Sequence, residues 1–298
     1  MFPLSYTYIV DPSFAWCEAV EERSGGRVKV SIYHSKELFG GKEEFAALGR
    51  GDIDVGIPHD IYHTGEVPDL GITSLPFVFE DVDEAMRILD AGLRDMIIPV
   101  VEEANNCVVL GWTVFDPYNF YCEEPILTLE DVKGKVWATS GTCHTKAIEI
   151  LGGSPTMMSS SELYLALQTG VIDGTTRPLI TGVGRKLHEV VGHLTMAGFS
   201  PWGCLLLVNR DTWNRLPPDV QEIMRDEGHN WEEEQFQLAK EYVAEAIDKL
   251  RAGGMTVHYL PMEEMAKFRE AMAPCWEWWL AEECPEGQEY LDFVEANR

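Results

Sequence analysis

One arginine and a group of aromatic residues are the side chains best suited to hold a small molecule. Arg177 follows a turn at Asp173-Gly174. Its planar guanidinium can hold a carboxylate or a sulfonate through two parallel hydrogen bonds. The alternative is an ion pair inside the protein, since a carboxylate such as Asp116 is available among the 50 acidic residues. The sequence therefore predicts an anion site at Arg177 or a structural ion pair.

Aromatic residues crowd the same parts of the chain, namely Trp112, Phe115, Tyr118, Phe120, Tyr121, Trp137, Phe199 and Trp202. Such rings sandwich a flat apolar ligand, or they cage an ammonium group by cation–π attraction. Asp11, Asp60 and Asp116 would favour a cation, whereas the charge of Arg177 would oppose it. We expect an aromatic or apolar monocarboxylate, with a small amine or quaternary ammonium compound as the alternative.

The motifs of catalysis and metal binding are missing from the sequence. His59 and His63 have the spacing of some metal sites, but the glutamate of the zinc-protease motif is absent, so His59 is interpreted as a hydrogen-bonding residue of a pocket. Cys143 and His144 are adjacent, and adjacent helical residues point apart. We expect no metal, no cofactor and no enzymatic activity.

Strands and helices alternate along the chain, which predicts an α/β fold. The patterns predict strands at residues 6–10, 28–32 and 51–57, with a parallel sheet in the first part of the chain, and a long helix near 219–250. Open α/β sheets bind ligands at the carboxyl ends of their strands. The candidate ligand contacts are accordingly Asp11, His59, Asp60, Asp116, Tyr118, Phe120, Trp137, Ser160, Arg177 and Trp202.

Composition limits the possible partners and the size of the fold. The 298 residues are 45% hydrophobic and carry a net charge of −27, which predicts a large core and argues against a nucleic-acid partner. No apolar run approaches the ~20 residues of a membrane helix. At least one of the seven cysteines lacks a partner within the chain, and Cys275 and Cys284 could form a disulfide. The start at Met1 has no basic segment followed by an apolar one, so no signal peptide is expected in this sequence.

The block Ser161-Glu162-Leu163-Tyr164-Leu165-Ala166-Leu167-Gln168-Thr169-Gly170-Val171-Ile172-Asp173-Gly174 reads as a helix ended by Gly170, followed by a turn. It resembles a block of the DctP-type solute-binding proteins of TRAP transporters, where it also follows a Gly-x-x-Pro element, here Gly152–Pro155. The segments 25–30 and 75–79 resemble the same family, and the resemblance extends over residues 6–250.

The resemblance implies a two-lobed, periplasmic-binding-protein-like fold in which each lobe is a sheet flanked by helices and a long helix braces both. The N-terminal lobe would comprise residues 1–115 plus about 205–240. The C-terminal lobe would comprise 116–204 plus about 241–298, with the ligand cleft between the lobes. The implied protein is a periplasmic monomer whose export signal has been removed. It would close on a small organic ligand and deliver it to the membrane subunits of a TRAP transporter, or serve as a periplasmic sensor.

The sequence departs from the family at the residues that usually hold an organic acid. The family pattern Gly-Lys-x-x-Arg-Val becomes Gly134-Lys135-Val136-Trp137-Ala138, which is one residue shorter and places Trp137 where the arginine would lie. A second arginine of the family is replaced near Tyr118 and Asn119. We therefore expect the anion-binding role to have moved to Arg177.

Overall fold

The fold is built on two separate β-sheets, seen in a computed structural model that describes residues 2–298. The strands are β1 Val55–Gly56, β2 Cys107–Phe115, β3 Asn119–Cys122, β4 Val136–Thr139, β5 Ser154–Met157, β6 Gly174–Arg177, β7 His193–Met196, β8 Trp202–Asn209 and β9 Thr256–Tyr259. The first sheet has the order β1-β8-β2, and the second has the order β5-β4-β6-β3-β7-β9. The predicted α/β class is confirmed.

Helices surround both sheets. They are α1 Thr7–Arg23, α2 Glu44–Arg50, α3 Gly71–Ser74, α4 Val82–Ile88, α5 Arg94–Ala104, α6 Thr142–Ile150, α7 Leu163–Gln168, α8 Leu179–Gly184, α9 Arg210–Arg215, α10 Pro218–Ala252, α11 Met262–Ala271, α12 Ala273–Trp278 and α13 Gly287–Ala296. No helix within residues 2–298 is long and apolar enough to cross a membrane.

The first sheet is antiparallel and buried on both faces. All nine residues of β2 are buried, and β2 pairs with β8 from Cys107 opposite Asn209 to Phe115 opposite Trp202. One face packs on α10, where a Cβ at Gly111 would lie 3.0 Å from the Trp231 ring. The antiparallel pairing differs from the parallel sheet predicted for the first part of the chain.

The second sheet is mixed, and its pairing fixes the position of Arg177. Strand β6 runs parallel to β4 and antiparallel to β3, with Arg177 directly opposite Asn119. Arg177 is the last residue of β6, and Pro178 then caps the start of α8. The sequence therefore places the guanidinium at a strand end, the position from which ligands are contacted in such sheets.

The predicted long helix is confirmed as α10, a helix of 35 residues. It begins with a proline at its first position, which suits the fixed φ of that residue. At 1.5 Å per residue its length is about 50 Å. It packs against α1 and β2 at the first sheet and against α8 and β9 at the second, so it bridges both halves of the molecule.

Two of the predicted strands are wrong. Residues 7–10 belong to α1, with Tyr6 at its N-cap, and the buried positions Tyr8, Trp16 and Val20 of this helix recur at helical spacing. A short apolar run does not by itself distinguish a helix from a strand, and packing on α10 decides for the helix. Residues 28–32 form no strand, since Val28 lies in a bend and the segment pairs with no strand among the described residues.

The C-terminal helices contact both parts of the chain. Trp276 Nε1 donates to the carbonyl oxygen of Pro76 at 2.9 Å, and the Tyr290 hydroxyl donates to Asp69 at 2.6 Å. Trp278 lies under the ammonium group of Lys146. The predicted lobe boundaries, 1–115 plus 205–240 and 116–204 plus 241–298, remain a prediction, since these helices touch segments assigned to each lobe.

All seven cysteines are buried free thiols. The disulfide considered between Cys275 and Cys284 is not formed, and the Sγ of Cys275 instead contacts the carbonyl oxygen of Cys143 at 3.6 Å. Burial raises the pKa of the Cys143 and Cys284 thiols to about 12. These side chains therefore fill the core as small apolar groups.

Candidate ligand-binding site

A cavity of about 120 Å³, which we name the central cavity, lies where the two sheets approach each other. Its walls come from the start of the chain, from the loop before α2, from the end of β1, and from β6 and α8. The lining residues include Phe2, Tyr6, Lys36, His59, Tyr62, Tyr118, Ser160, Arg177, Arg185 and Trp202.

Among residues 2–298, Arg177 is a buried cation that has no acidic partner. It is 1% exposed, and its guanidinium donates only to backbone carbonyls: Thr176 at 2.7 Å, Met158 at 2.9 Å and Thr139 at 3.3 Å. Its Nε has no partner within residues 2–298. A buried charge is costly unless it is paired, and the partners that this guanidinium has within residues 2–298 are neutral carbonyl oxygens.

The considered ion pair between Arg177 and Asp116 is not formed. Asp116 accepts instead from the Tyr8 hydroxyl at 2.6 Å, from the Leu179 amide at 2.7 Å and from Trp202 Nε1 at 3.4 Å. Burial raises the pKa of Asp116, and these three donors oppose that effect. The carboxylate therefore ties α1, α8 and β8 together and does not line the central cavity.

A histidine and a tyrosine meet in the wall of the central cavity. The Nε2 of His59 lies 3.0 Å from the Tyr118 hydroxyl oxygen, and the Tyr118 hydroxyl lies 3.3 Å from Ser140 Oγ. Burial lowers the pKa of His59, and the nearby charge of Arg177 lowers it further, while Asp60 opposes both. The ring is therefore neutral at pH 7 and offers hydrogen bonding without charge.

Asp60 lies next to His59, and both oxygens of its carboxylate accept hydrogen bonds. Its carboxylate accepts from the amide of Ile61 at 2.7 Å and from that of Gly203 at 3.1 Å. It also accepts from Thr73 at 3.2 Å and from Trp112 at 3.3 Å. Asp60 positions His59 and the adjoining backbone, and it has no contact with the central cavity.

A second guanidinium reaches the cavity from the end of α8. Arg185 Nη2 donates to Ser160 Oγ at 3.1 Å, and the guanidinium carbon lies 5.6 Å from the centre of the Tyr6 ring. The Ser160 amide in turn donates to the Tyr62 hydroxyl at 3.1 Å. Arg185 and Tyr62 were not among the predicted contacts, nor was Lys36, which hydrogen-bonds Ser161 at the cavity rim.

Aromatic rings form the remaining wall. Phe2 stacks on Tyr6 with 5.8 Å between ring centres, and it meets Trp202 edge-on at 6.0 Å. His59 lies 4.7 Å from both Trp202 and Tyr62. Cations and aromatic rings therefore line the cavity together.

The structure brings together half of the predicted contacts. Arg177, Tyr118, His59, Ser160 and Trp202 line the central cavity. The remaining five, Asp11, Asp60, Asp116, Phe120 and Trp137, do not.

The two aromatic residues that miss the cavity lie in the core of the second sheet. The rings of Trp137 and Phe120 are 5.3 Å apart, and Trp137 Nε1 donates to the carbonyl oxygen of Val132 at 3.0 Å. Asp11 lies exposed on α1. The three acids that would have favoured a cationic ligand are thus all outside the cavity.

Two α/β halves bridged by one long helix, with a cavity lined by charged, polar and aromatic residues between them, are the architecture of a solute-binding protein. Residues 12–283 match the DctP family, described as bacterial extracellular solute-binding protein, family 7. The chain belongs to this family, and it is a periplasmic solute-binding protein of the TRAP-transporter type.

Two curated relatives show the extent of the similarity. The C4-dicarboxylate-binding periplasmic protein DctP of Rhodobacter capsulatus is 28% identical over 262 residues, covering 86% of this chain and 78% of the relative. The sialic acid-binding periplasmic protein SiaP of Vibrio cholerae is 28% identical over 267 residues, with 86% and 79% covered.

Solved structures agree in fold. A TRAP periplasmic solute-binding protein from Sulfitobacter sp. NAS-14.1 with bound β-D-galacturonate has a TM-score of 0.92 at 27% identity, with 97% of this chain and 96% of that chain covered. DctP7 of Bordetella pertussis, which binds pyroglutamic acid, has a TM-score of 0.91 and the same coverage. At 22% identity, the likeness to DctP7 concerns the fold alone.

Proposed function

We propose that the protein captures a small organic monocarboxylate whose carboxylate binds Arg177. The observation that carries the proposal is a guanidinium that is 1% exposed and lacks a carboxylate partner within residues 2–298, in a chain with 50 acidic residues. With so many acids available, an unpaired buried arginine is the feature that most needs an anion. The similar Sulfitobacter protein has bound galacturonate, which is also a carboxylate.

The remainder of the ligand is small and flat or apolar. The central cavity measures about 120 Å³. A cavity of about 150 Å³ is known to accept benzene, so the space suits a body of about six ring atoms. The ring-lined side formed by Phe2, Trp202 and His59 would stack on such a body. An aromatic or short aliphatic acid fits a cavity that is lined by both cations and rings.

Binding would be coupled to closure of the two halves. Arg177 and Ser160 belong to the second sheet and its loops, whereas His59 and Trp202 belong to the first sheet. A ligand held by both groups favours the state in which they are close together. The closed form would then deliver the ligand to the membrane subunits of the transporter, with no chemical change to the ligand.

The amine alternative has less support from the charges of the central cavity. Asp11, Asp60 and Asp116 do not line it; Glu44 does, with its carboxylate accepting from the Ile57 amide at 2.8 Å, and so do Arg177 and Arg185. Two guanidinium groups beside the ligand repel an ammonium ion.

Calorimetric titration tests the proposal with benzoate, pentanoate, galacturonate and choline as probes. We expect binding of benzoate or pentanoate and no binding of choline. Arg177→Met should lower the affinity at least 100-fold, because a charge-assisted bidentate contact is lost. Arg27→Met is the matched control, since Arg27 is paired with Asp219 at the surface. Unchanged affinity in Arg177→Met, or tight choline binding, would overturn the proposal.

A further inference from the structure

Two glycines lie where the half built on the first sheet touches the half built on the second. Gly141 follows β4 of the second sheet and faces the turn Asp60–His63, whose preceding residue pairs with β8 of the first sheet. Gly184 is the last residue of α8 and faces Tyr6 at the start of α1. Both contacts therefore join an element of one half to an element of the other.

The contact at Gly141 leaves no room for a side chain. A Cβ at this position would lie 2.3 Å from the carbonyl oxygen of Ile61 and 3.0 Å from Thr64 Oγ1. Carbon atoms and carbonyl oxygens in contact normally lie at least about 3.3 Å apart. The obstacle is backbone, which has no rotamer to change, so an added methyl group would separate the two segments by about 1 Å.

The local backbone at these two positions does not itself require glycine. Gly141 has a φ of −141° and a ψ of −175°, an extended conformation that alanine adopts freely. Gly184 lies in the last turn of a helix, where alanine is the most favourable residue. The clearance between the halves, and not the conformation of either element, is therefore what the missing side chains provide.

Hydrogen bonds hold the contact beside Gly141. The amide of Thr142 donates to Thr64 Oγ1 at 3.3 Å, and the Thr142 hydroxyl donates to the same oxygen at 3.2 Å. Thr64 in turn donates to the carbonyl oxygen of Ile61 at 3.1 Å. The two bonds from Thr142 are already at the long end of the usual range, so a separation of about 1 Å would break them.

The contact at Gly184 meets a buried ring. A Cβ there would lie 2.7 Å from Cε1 of Tyr6, whose hydroxyl donates to Thr181 Oγ1 at 2.9 Å. Ser5 Oγ donates to the carbonyl oxygen of Gly184 at 3.4 Å. Because Arg185 is the next residue and lines the central cavity with Tyr6, a separation at this contact would also shift a cation of the cavity.

We propose that Gly141 and Gly184 set how closely the two halves shut, so that a side chain at either position holds the halves apart and weakens ligand binding. The inference rests on the proposed closure of the halves over a ligand. Neither glycine lines the central cavity, so both are positioning residues.

The walls of the cavity depend on the distance that these glycines set. The Nε2 of His59 and the hydroxyl oxygen of Tyr118 are 3.0 Å apart, and Tyr118 also bonds to Ser140, the residue before Gly141. An opening of about 1 Å along the bond between His59 and Tyr118 would exceed the range of a hydrogen bond. A methyl group at Gly141 would thus act on the site from outside it.

Cross-linking across the contact tests the proposal without any ligand. Thr64→Cys and Thr142→Cys together place two sulfurs where hydroxyl oxygens are 3.2 Å apart, so a disulfide can form when the halves are shut. In this parent we expect Gly141→Ala and Gly184→Ala each to slow disulfide formation by oxidised glutathione at least 10-fold. Gly65→Ala is the matched control and should not slow it, because a Cβ there would lie 3.8 Å from the Thr142 side chain, an ordinary contact at the same junction.

Titration with benzoate, pentanoate and galacturonate separates this proposal from the choice of ligand. For any of these acids that the wild type binds, the affinity should fall at least 10-fold in Gly141→Ala and stay unchanged in Gly65→Ala. If the wild type binds none of them, the proposed carboxylate function fails, whereas cross-linking still tests the glycines.

Two results would overturn the proposal. One is an equal rate of cross-linking in the parent, in Gly141→Ala and in Gly184→Ala. The other is an equal slowing in Gly65→Ala, since any added methyl group at the junction would then have the same effect. Circular dichroism verifies that each variant is folded, and Gly184→Ala decides alone if Gly141→Ala is not.

Discussion

The Nη2 of Arg185 lies 3.1 Å from the Oγ of Ser160, and the Nε of the same guanidinium has no partner among residues 2–298. The nearest ring, that of Tyr6, lies 5.6 Å from the guanidinium carbon. Arg185 is therefore a second cation of the central cavity that is held by neutral groups alone, and it is free to turn a donor toward a bound acid.

Replacing Arg185 should weaken carboxylate binding less than replacing Arg177. We expect Arg185→Met to lower the affinity about 10-fold, equal to about 1.4 kcal/mol, because a half-buried charged donor is lost. Arg185→Lys should recover most of the loss, since it keeps the charge. Isothermal titration measures both, with Arg251→Met on the exposed end of α10 as control. If all variants bind the ligand with equal affinity, Arg185 does not contribute to ligand binding.

Restoring the arginine that the family pattern has near position 137 should not create an anion site. The Trp137 ring fills space beside two glycines, and a Cβ at Gly153 or Gly174 would lie 2.7 Å or 2.6 Å from it. Trp137→Arg would leave a cavity and an unpaired charge in the core. We expect the free energy of unfolding, measured with urea, to fall by at least about 3 kcal/mol, with Trp137→Phe as the milder control. A stable Trp137→Arg variant with tighter carboxylate binding would contradict this.

Local patterns predicted helices well where the helical period was complete. Leu163 and Leu167 are both buried on α7, and Gly170 has a φ of 68°, as expected of a residue that ends a helix. The helix nevertheless begins at Leu163 and not directly after Ser161, since Glu162 occupies the cap position. The first and last residues of a helix depend on side-chain hydrogen bonds that the sequence alone does not reveal.

Pairing was harder to predict because it is not local. Residues 28–32 alternate as a strand does, but a strand needs a neighbour, and no described segment supplies one. Trp137 was placed in the cleft because its strand ends there, yet alternate residues of a strand face opposite sides and Trp137 faces the core. Arg177 was found because it follows the Asp173-Gly174 turn, and it lies at the end of β6. Arg185 lies eight residues later, after α8, where the strand-end rule does not apply.

The thiols should be unreactive in the folded protein. All seven cysteines are buried, and burial raises the pKa of Cys17 and of Cys107 to about 12. The reactive species is the thiolate, so alkylation at pH 8 should be negligible. Mass spectrometry should find seven alkylated cysteines after unfolding without reductant, because no disulfide is formed. Five alkylated cysteines would indicate a disulfide that the structure does not contain.

Acid should destabilise the protein through a buried histidine before the carboxylates titrate. His144 is 0% exposed, its Nε2 lies 2.8 Å from Ser200 Oγ, and its Nδ1 has no partner among the described residues. Burial lowers the pKa of His144 to about 3, and the charges of Arg177 and His59 add to this effect. Between a pH of about 6.5, the ordinary pKa of histidine, and this value, the unfolded chain binds a proton that the folded chain does not.

The free energy of unfolding should therefore fall with pH, by about 1.4 kcal/mol per pH unit for each such histidine, once the pH drops below about 6.5. The pKa of His59 is also lowered, so both histidines contribute to the loss of stability at acid pH. Urea unfolding at pH 7.5, 6.5 and 5.5 measures how the free energy of unfolding changes with pH, at pH values above the pKa of ordinary carboxylates. His144→Gln keeps a polar group near Ser200 and should reduce the slope, while the exposed His229→Gln should leave it unchanged. If the free energy of unfolding falls equally steeply with pH in the wild type and in His144→Gln, His144 does not control the acid sensitivity.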